Sequence, residues 1–316
     1  MKKILMGHNF ARKGFESLEG KFDVIYPEND LFRKAEILDR IADADVLVPN
    51  FSFQTGAEII DAGKNLKLIA NFGVGYNNID VEYATAKGIV VTNTPQSVLE
   101  PTAELAFALM LATARKVAWY NHRLHNGEKL DWSLYGDLAL PIYGQTLGIY
   151  GMGRIGQAIA RRAVASGMKI IYHNRKPLPD EVAERYGAGY VSFDTLLRES
   201  DILSLNAPAT ADTYHLIGEA ELKKMKPSAI LINTARGQLV DSAALAAALK
   251  SGEIYGAGLD VYEKEPKIPS DLIGLDNVVL SPHAGTKTYA ARLDMEEEVA
   301  KNIVNFFDGK DISRVN

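Results

Sequence analysis

Short apolar, β-branched runs alternate with stretches of helical periodicity along the whole chain. In the first third the runs are "KKILMG", "FDVIYP", "ADVLVPNF", "LKLIANFGVG" and "GIVVTNTP". Between them lie stretches such as "RKAEILDRIAD" (33–43) and "DVEYATAKG" (80–88), whose apolar residues fall at helical spacing. Strands separated by helices are joined by crossovers, so the alternation predicts parallel sheet. About five strands before residue 96 are enough for one doubly wound domain.

"TPQSVLEPTAELAFALMLATARK" then predicts a helix that carries the chain from one domain to the next. Pro101 suits its first turn, Glu104 lies near its positive end, and Arg115 and Lys116 lie toward its negative end. "HNGEKLDWSLYGDLALPIYGQ" (125–145) has no clear period and predicts a long connecting loop. A second alternation follows through "QTLGIYGMGRIG", "MKIIYHNR", "DILSLNAP", "AILINTARG", "IYGAGLDVYE" and "NVVLSPHAG". The last segment, "KTYAARLDMEEEVAKNIVNFFDGK", predicts one amphipathic helix.

Composition narrows the function classes. A 316-residue chain exceeds the size at which single cores stop growing, in line with two domains. A net charge of −5 gives no footing for a nucleic-acid or anionic-membrane partner. There are no cysteines, which removes disulfides, thiolate metal sites, iron–sulfur clusters and a thiol nucleophile, and fits a reducing cytoplasm. The apolar run "ILM" near the N-terminus is too short for a signal peptide, and "LAFALMLATA" (105–114) is too short to span a bilayer. The expectation is a cytoplasmic protein.

The chemistry sits at the ends of predicted strands. Gly151, Gly153 and Gly156, with Arg154 and Ile155 among them, follow "TLGIY" and open a helical stretch, the context of a dinucleotide-binding turn. The first glycine permits the turn, the second admits the pyrophosphate, and the third lets helix pack on strand. The next strand should end in an acid that holds the adenine ribose. It ends instead in Asn174-Arg175-Lys176. Two cations without a carboxylate suit a 2′-phosphate, which predicts NADPH. The asparagine can still hydrogen-bond ribose hydroxyls, which keeps NAD as the alternative. Arg236, Glu265 and His283 each follow a later strand, where open α/β sheets place ligand sites. His122 and His125 lack a third ligand in pattern, so no metal site is predicted. No G-x-S-x-G, H-E-x-x-H or GxxxxGK[ST] motif is present, which removes the main hydrolase and NTPase readings.

Taken together, "NFGVGYNNIDVEYATAKGIVVTNTP", "GQTLGIYGMGRIGQAIA", "INTARGQLVDSAAL", "GAGLDVYEKEP" and "SPHAGTKT" resemble, in order, the signatures of the D-isomer-specific 2-hydroxyacid dehydrogenase family, which includes the glyoxylate/hydroxypyruvate reductases. The resemblance implies a Rossmann dinucleotide-binding domain (100–284) inserted into a flavodoxin-like substrate domain (1–99, completed by 285–316). It implies a catalytic triad of Arg236, Glu265 and His283, with Arg236, His283 and the loop Gly73-Val74-Gly75 binding a small 2-keto acid. It further implies cofactor contacts from Pro208, Thr213, Thr234, Ala235, Asp260, His283 and Gly285, and a homodimer. Phe51, Phe72, Trp132 and Tyr289 are candidates for the pocket around the substrate side chain.

Formate dehydrogenases of this family carry glutamine where this chain has Glu265. The short stretch after His283 leaves no room in this sequence for the regulatory domain of some phosphoglycerate dehydrogenases. An NADH-linked D-lactate-type enzyme and a cofactor-gated corepressor-like binding protein remain as rival readings.

Overall fold

In a computed structural model that describes residues 1–316, each apolar run named above becomes a strand. Five of them, β1 (Lys2–Met6), β2 (Phe22–Ile25), β3 (Val46–Val48), β4 (Leu68–Ala70) and β5 (Val90–Thr92), form one parallel sheet in the order β2-β1-β3-β4-β5. This is the flavodoxin-like order.

Seven more form a second parallel sheet: β6 (Thr146–Tyr150), β7 (Lys169–His173), β8 (Ala188–Tyr190), β9 (Ile202–Leu205), β10 (Ile230–Asn233), β11 (Gly256–Leu259) and β12 (Val278–Leu280). Their order is β12-β11-β10-β9-β6-β7-β8, the Rossmann arrangement with one strand added at the β12 edge. The pattern reading missed β8. It is a three-residue edge strand, "AGY", half-buried to exposed, with a glycine at its centre and no apolar run to reveal it.

The chain divides into one unit of Met1–Val98 with Thr286–Asn316 and another of Leu99–Gly285. The central strands β3, β4, β9 and β10 are wholly buried because helices cover both faces, and apart from Ser204 and Asn233 they are apolar. In the first unit the helix Tyr289–Asp308 lays Met295, Val299 and Ile303, four residues apart, against Ile4, Met6, Val46, Val48 and Leu68. The end of the chain thus supplies core to its beginning.

In the second unit the helix Leu99–Ala114 buries Ala103, Ala106, Leu109 and Met110 with Ile159 and Ala163 of the helix Arg154–Ala165. The path then breaks at Lys116, which takes a left-handed backbone (φ +51°), before a second helix, Val117–His125. The sequence pattern had suggested one helix through Lys116. Residues 126–145 contain no helix or strand and expose Trp132, Leu134, Tyr135, Leu138 and Tyr143. No helix is long and apolar enough to cross a membrane.

Candidate active site

The carboxyl ends of β10, β11 and β12 lead to Arg236, Glu265 and His283. His283 is the most constrained of the three. Its φ is +50°, a region that residues with a Cβ seldom occupy. Asp260 holds it there from both backbone and side chain. The Asp260 carbonyl accepts the His283 N–H (2.8 Å), Oδ1 accepts Ala284 N–H (2.7 Å), and Oδ2 accepts Gly285 N–H (2.9 Å).

The Ser281 hydroxyl also donates to Asp260 Oδ1 (2.6 Å), and the Tyr262 hydroxyl donates to the Ser281 carbonyl (2.8 Å). Burial, with the charges of Asp260 and Glu265 adding to it, pushes the Tyr262 phenol up to about 12, so it stays a donor near neutral pH. Asp260 is fully buried and both its carboxylate oxygens are engaged by this loop. In this structure it is a buttress for the histidine, a task that its place in the sequence did not reveal.

The His283 ring is aimed by Glu265, whose Oε2 lies 2.7 Å from Nδ1. Glu265 Oε1 accepts the Tyr262 N–H at 3.0 Å, so the carboxylate is itself fixed. Burial pushes the Glu265 carboxyl up. The hydrogen bond and charge of His283, the Tyr262 N–H and the Arg236 charge outweigh it and hold the group below the usual glutamate range. At neutral pH Glu265 is therefore an anion.

Arg236 lies in a turn shaped by Asn233, whose Oδ1 accepts Ala235 N–H (3.1 Å) and whose Nδ2 donates to the Arg236 carbonyl (2.9 Å). Burial draws the guanidinium below its ordinary value, with Glu265 opposing. An arginine retains its charge even so. A partly buried cation beside a histidine held by an anionic glutamate is an arrangement able to bind a small anion and pass it a proton.

The glycine turn after β6 has the shape of a phosphate cradle. Gly151 is left-handed (φ +88°), and a Cβ there would come within 2.9 Å of the Asn206 backbone. Gly153 faces open space, with nothing within 4 Å of an added Cβ. Gly156 packs so closely that a Cβ would lie 2.7 Å from the Gly151 carbonyl. The helix Arg154–Ala165 begins at Gly153 without a side-chain cap, so its first N–H groups, those of Arg154 and Ile155 included, are available to an anion. These residues fit a dinucleotide.

Asn174 Oδ1 accepts the Met152 N–H at 2.7 Å, which ties the end of β7 to the glycine turn. Arg175 and Lys176 beside it are exposed. Pro208 and Thr213 belong to one turn: the Thr213 hydroxyl donates to the Pro208 carbonyl (2.8 Å) and accepts Thr210 N–H (2.8 Å). Thr234 lies directly after β10, followed by Ala235, and its hydroxyl is buried without a partner.

In the first unit the loop Gly73-Val74-Gly75 has its carbonyls turned inward. Asn71 Nδ2 donates to those of Gly73 (3.0 Å) and Gly75 (2.9 Å), and Asn93 Nδ2 to that of Val74 (2.8 Å). The Gly73 N–H donates to the Asn71 carbonyl (3.1 Å), which leaves Val74 and Gly75 as the loop's N–H donors. The two asparagines that set this polarity escaped the sequence reading. Phe72 departs from expectation: it is buried against Phe10 at 4.7 Å, with the Arg292 guanidinium over its ring, and is core rather than pocket wall. Phe51, Trp132 and Tyr289 are exposed. His122 and His125 hydrogen-bond locally, to Asn126 and to the Asn121 carbonyl. No group of three metal-ligating side chains forms.

The model of the "D-isomer specific 2-hydroxyacid dehydrogenase, NAD binding domain" matches residues 107–285. A glyoxylate reductase of Thermococcus litoralis is 45% identical over 313 residues, which is 98% of this chain and 94% of that one. The chain belongs to the D-isomer-specific 2-hydroxyacid dehydrogenase family.

As a member of that family it is an NAD(P)-dependent oxidoreductase. Solved structures agree with this 2-hydroxyacid dehydrogenase. A glyoxylate reductase from Paecilomyes thermophila superposes with a TM-score of 0.90 at 38% identity, covering 99% of this chain and 98% of that one. An NADPH-dependent glyoxylate/hydroxypyruvate reductase from Sinorhizobium meliloti, solved with NADP and malonate, gives 0.86 at 34% identity, covering 99% and 96%.

Proposed function

We propose that the protein reduces a small 2-keto acid, glyoxylate or hydroxypyruvate in class, to the D-2-hydroxy acid with NADPH. The observation that carries this is the His283–Glu265 contact of 2.7 Å at the strand ends that also bear Arg236. The names of the Thermococcus and Paecilomyes relatives support the substrate class. Overall, a keto acid, NADPH and a proton become a hydroxy acid and NADP⁺.

Bound NADPH would supply the hydride to the keto carbon. Arg236 offers a planar fork that holds the carboxylate and polarises the keto oxygen. With Nδ1 engaged by Glu265, protonated His283 delivers its proton from Nε2 to the oxygen, and the anionic Glu265 stabilises the charged ring until then.

A keto-acid panel run with NADPH and with NADH tests the reading. Turnover of glyoxylate or hydroxypyruvate supports it. Tight NADPH binding without turnover of any keto acid sinks it in favour of a cofactor-gated binding protein.

The cofactor preference rests on Asn174, Arg175 and Lys176. Because Asn174 Oδ1 already accepts the Met152 N–H, aspartate at this position keeps that bond and adds only charge. One charge-assisted contact to a 2′-phosphate is worth about 1.5–3 kcal/mol, or roughly 10–100-fold. Asn174→Asp with Arg175→Ala is therefore expected to move the NADPH/NADH ratio of kcat/KM by about that factor toward NADH. A ratio that does not move removes Arg175 from cofactor choice.

The exposed aromatics at Trp132, Tyr135 and Tyr143 support a homodimer, since a second copy would cover them. Light scattering is expected to give twice the chain mass; the mass of one chain overturns this.

A further inference from the structure

A second histidine–carboxylate pair joins His215 to Glu263, two residues from Glu265 in the chain. His215 also has a left-handed backbone (φ +49°), and its ring lies flat on Tyr214, centroids 4.1 Å apart at 15°. Its Nε2 is 3.1 Å from Glu263 Oε2 and its Nδ1 is 3.8 Å from Asp241 Oδ2. Its N–H donates to the Gln238 carbonyl at 2.8 Å.

Glu263 is the hub. Its Oε1 accepts the Ser242 N–H (2.9 Å), at the start of the helix Ser242–Ser251, and its carbonyl accepts Gln238 Nε2 (3.1 Å). Burial pushes the Glu263 carboxyl up, but the Ser242 and His215 contacts hold it below the usual range, so the hub is charged. Gly237 sits against the Tyr262–Glu263 peptide so tightly that a Cβ would lie 1.9 Å from the Tyr262 carbonyl carbon. The side chains of His215 and Glu263 tie the 241–242 stretch to Glu263, and Gln238, which accepts the His215 N–H and donates to the Glu263 carbonyl, joins two further short segments to them. One is Arg236–Gln238; the other is Tyr262–Glu265.

We infer that His215 and Glu263 are positioning residues, clamping the Arg236 turn onto the turn that carries Glu265 and so setting the guanidinium relative to the Glu265–His283 pair. The inference rests on the keto-acid reductase reading, because it is the substrate that senses the guanidinium's place. A left-handed histidine is an awkward choice for a plain connection, where glycine or asparagine would serve. Here the ring is what reaches the carboxylates.

The test compares His215→Phe, which keeps the stack on Tyr214 and loses both carboxylate contacts, with His215→Gln, which keeps a donor for Glu263. Steady-state kinetics with glyoxylate and NADPH are read beside hydrogen exchange followed by mass spectrometry. In His215→Phe the keto-acid KM is expected to rise about tenfold and kcat to fall about tenfold, while the NADPH KM stays within about twofold. Amides of 236–241 and 262–265 are expected to exchange at least about tenfold faster, with those of 1–98 unchanged. His215→Gln restores most of both.

Unchanged exchange in the two turns overturns the inference, and so does faster exchange with wild-type KM and kcat. Should His215→Phe fail to fold, Glu263→Gln, which keeps an acceptor for Ser242, is read the same way. A wild-type protein that reduces no keto acid overturns the functional reading instead; the exchange data then still decide whether the pair holds the two turns.

Discussion

His283→Ala is expected to lower kcat for keto-acid reduction by about 10²–10⁴-fold, the usual worth of a positioned general acid. NADPH binding, followed by its fluorescence, should fall far less than kcat, because His283 is one expected cofactor contact among many and the glycine cradle and Asn174 are untouched. The left-handed backbone at His283 calls for a control, since alanine tolerates φ +50° no better than histidine does. Asparagine visits that region more readily. His283→Asn should therefore keep the loop and still lack turnover. Recovery of activity by asparagine would show that loop shape, rather than proton delivery, was lost. Glu265→Gln should keep measurable activity but bring its alkaline decline to lower pH, because the charged ring loses the anion that favours it. A wild-type pH profile in that variant would count against the pair.

Arg236→Lys is expected to cost about 10²–10³-fold in kcat/KM although it conserves charge. Loss of one of two charge-assisted contacts accounts for about 10–100-fold, and a displaced keto oxygen for the rest. An ammonium is a point charge on a flexible stem and cannot present two parallel donors. Both KM and kcat should change, since the guanidinium would grip the substrate before and during reduction. The turn itself should survive, because Asn233 binds the backbone of Ala235 and Arg236 and not the side chain. Kinetics equal to wild type would mean that Arg236 does not touch substrate.

The sheets were legible because parallel strands covered on both faces are written as unbroken apolar runs, as in "VLVP" and "AILIN". β8 was not, because an edge strand of "AGY" carries no such run. The glycine turn and the three strand-end residues were legible as residue types in context. Their supports were not. Asp260, Asn233, Ser281 and Asn71 act through hydrogen bonds that the sequence does not display, some to residues more than twenty positions away. Phe72 misled for the same reason: an aromatic next to a glycine loop looks like pocket lining until Phe10 is found against it.

The helix Tyr289–Asp308 has a consequence for how the protein is made. The five strands of the first sheet leave the ribosome within the first hundred residues, but the side chains that cover Ile4, Met6 and Val48 come from Met295, Val299 and Ile303. For most of its synthesis the nascent chain must carry that apolar face covered only in part, by Phe10, Phe15 and Leu18, while the later sheet, whose strands are contiguous in sequence, is translated and able to fold first. Truncation anywhere in the last helix would leave the earliest-made strands as the most aggregation-prone part of the molecule. Folding of the first sheet is thereby tied to the helix Tyr289–Asp308: only a chain that already contains it can close the face of Ile4, Met6 and Val48.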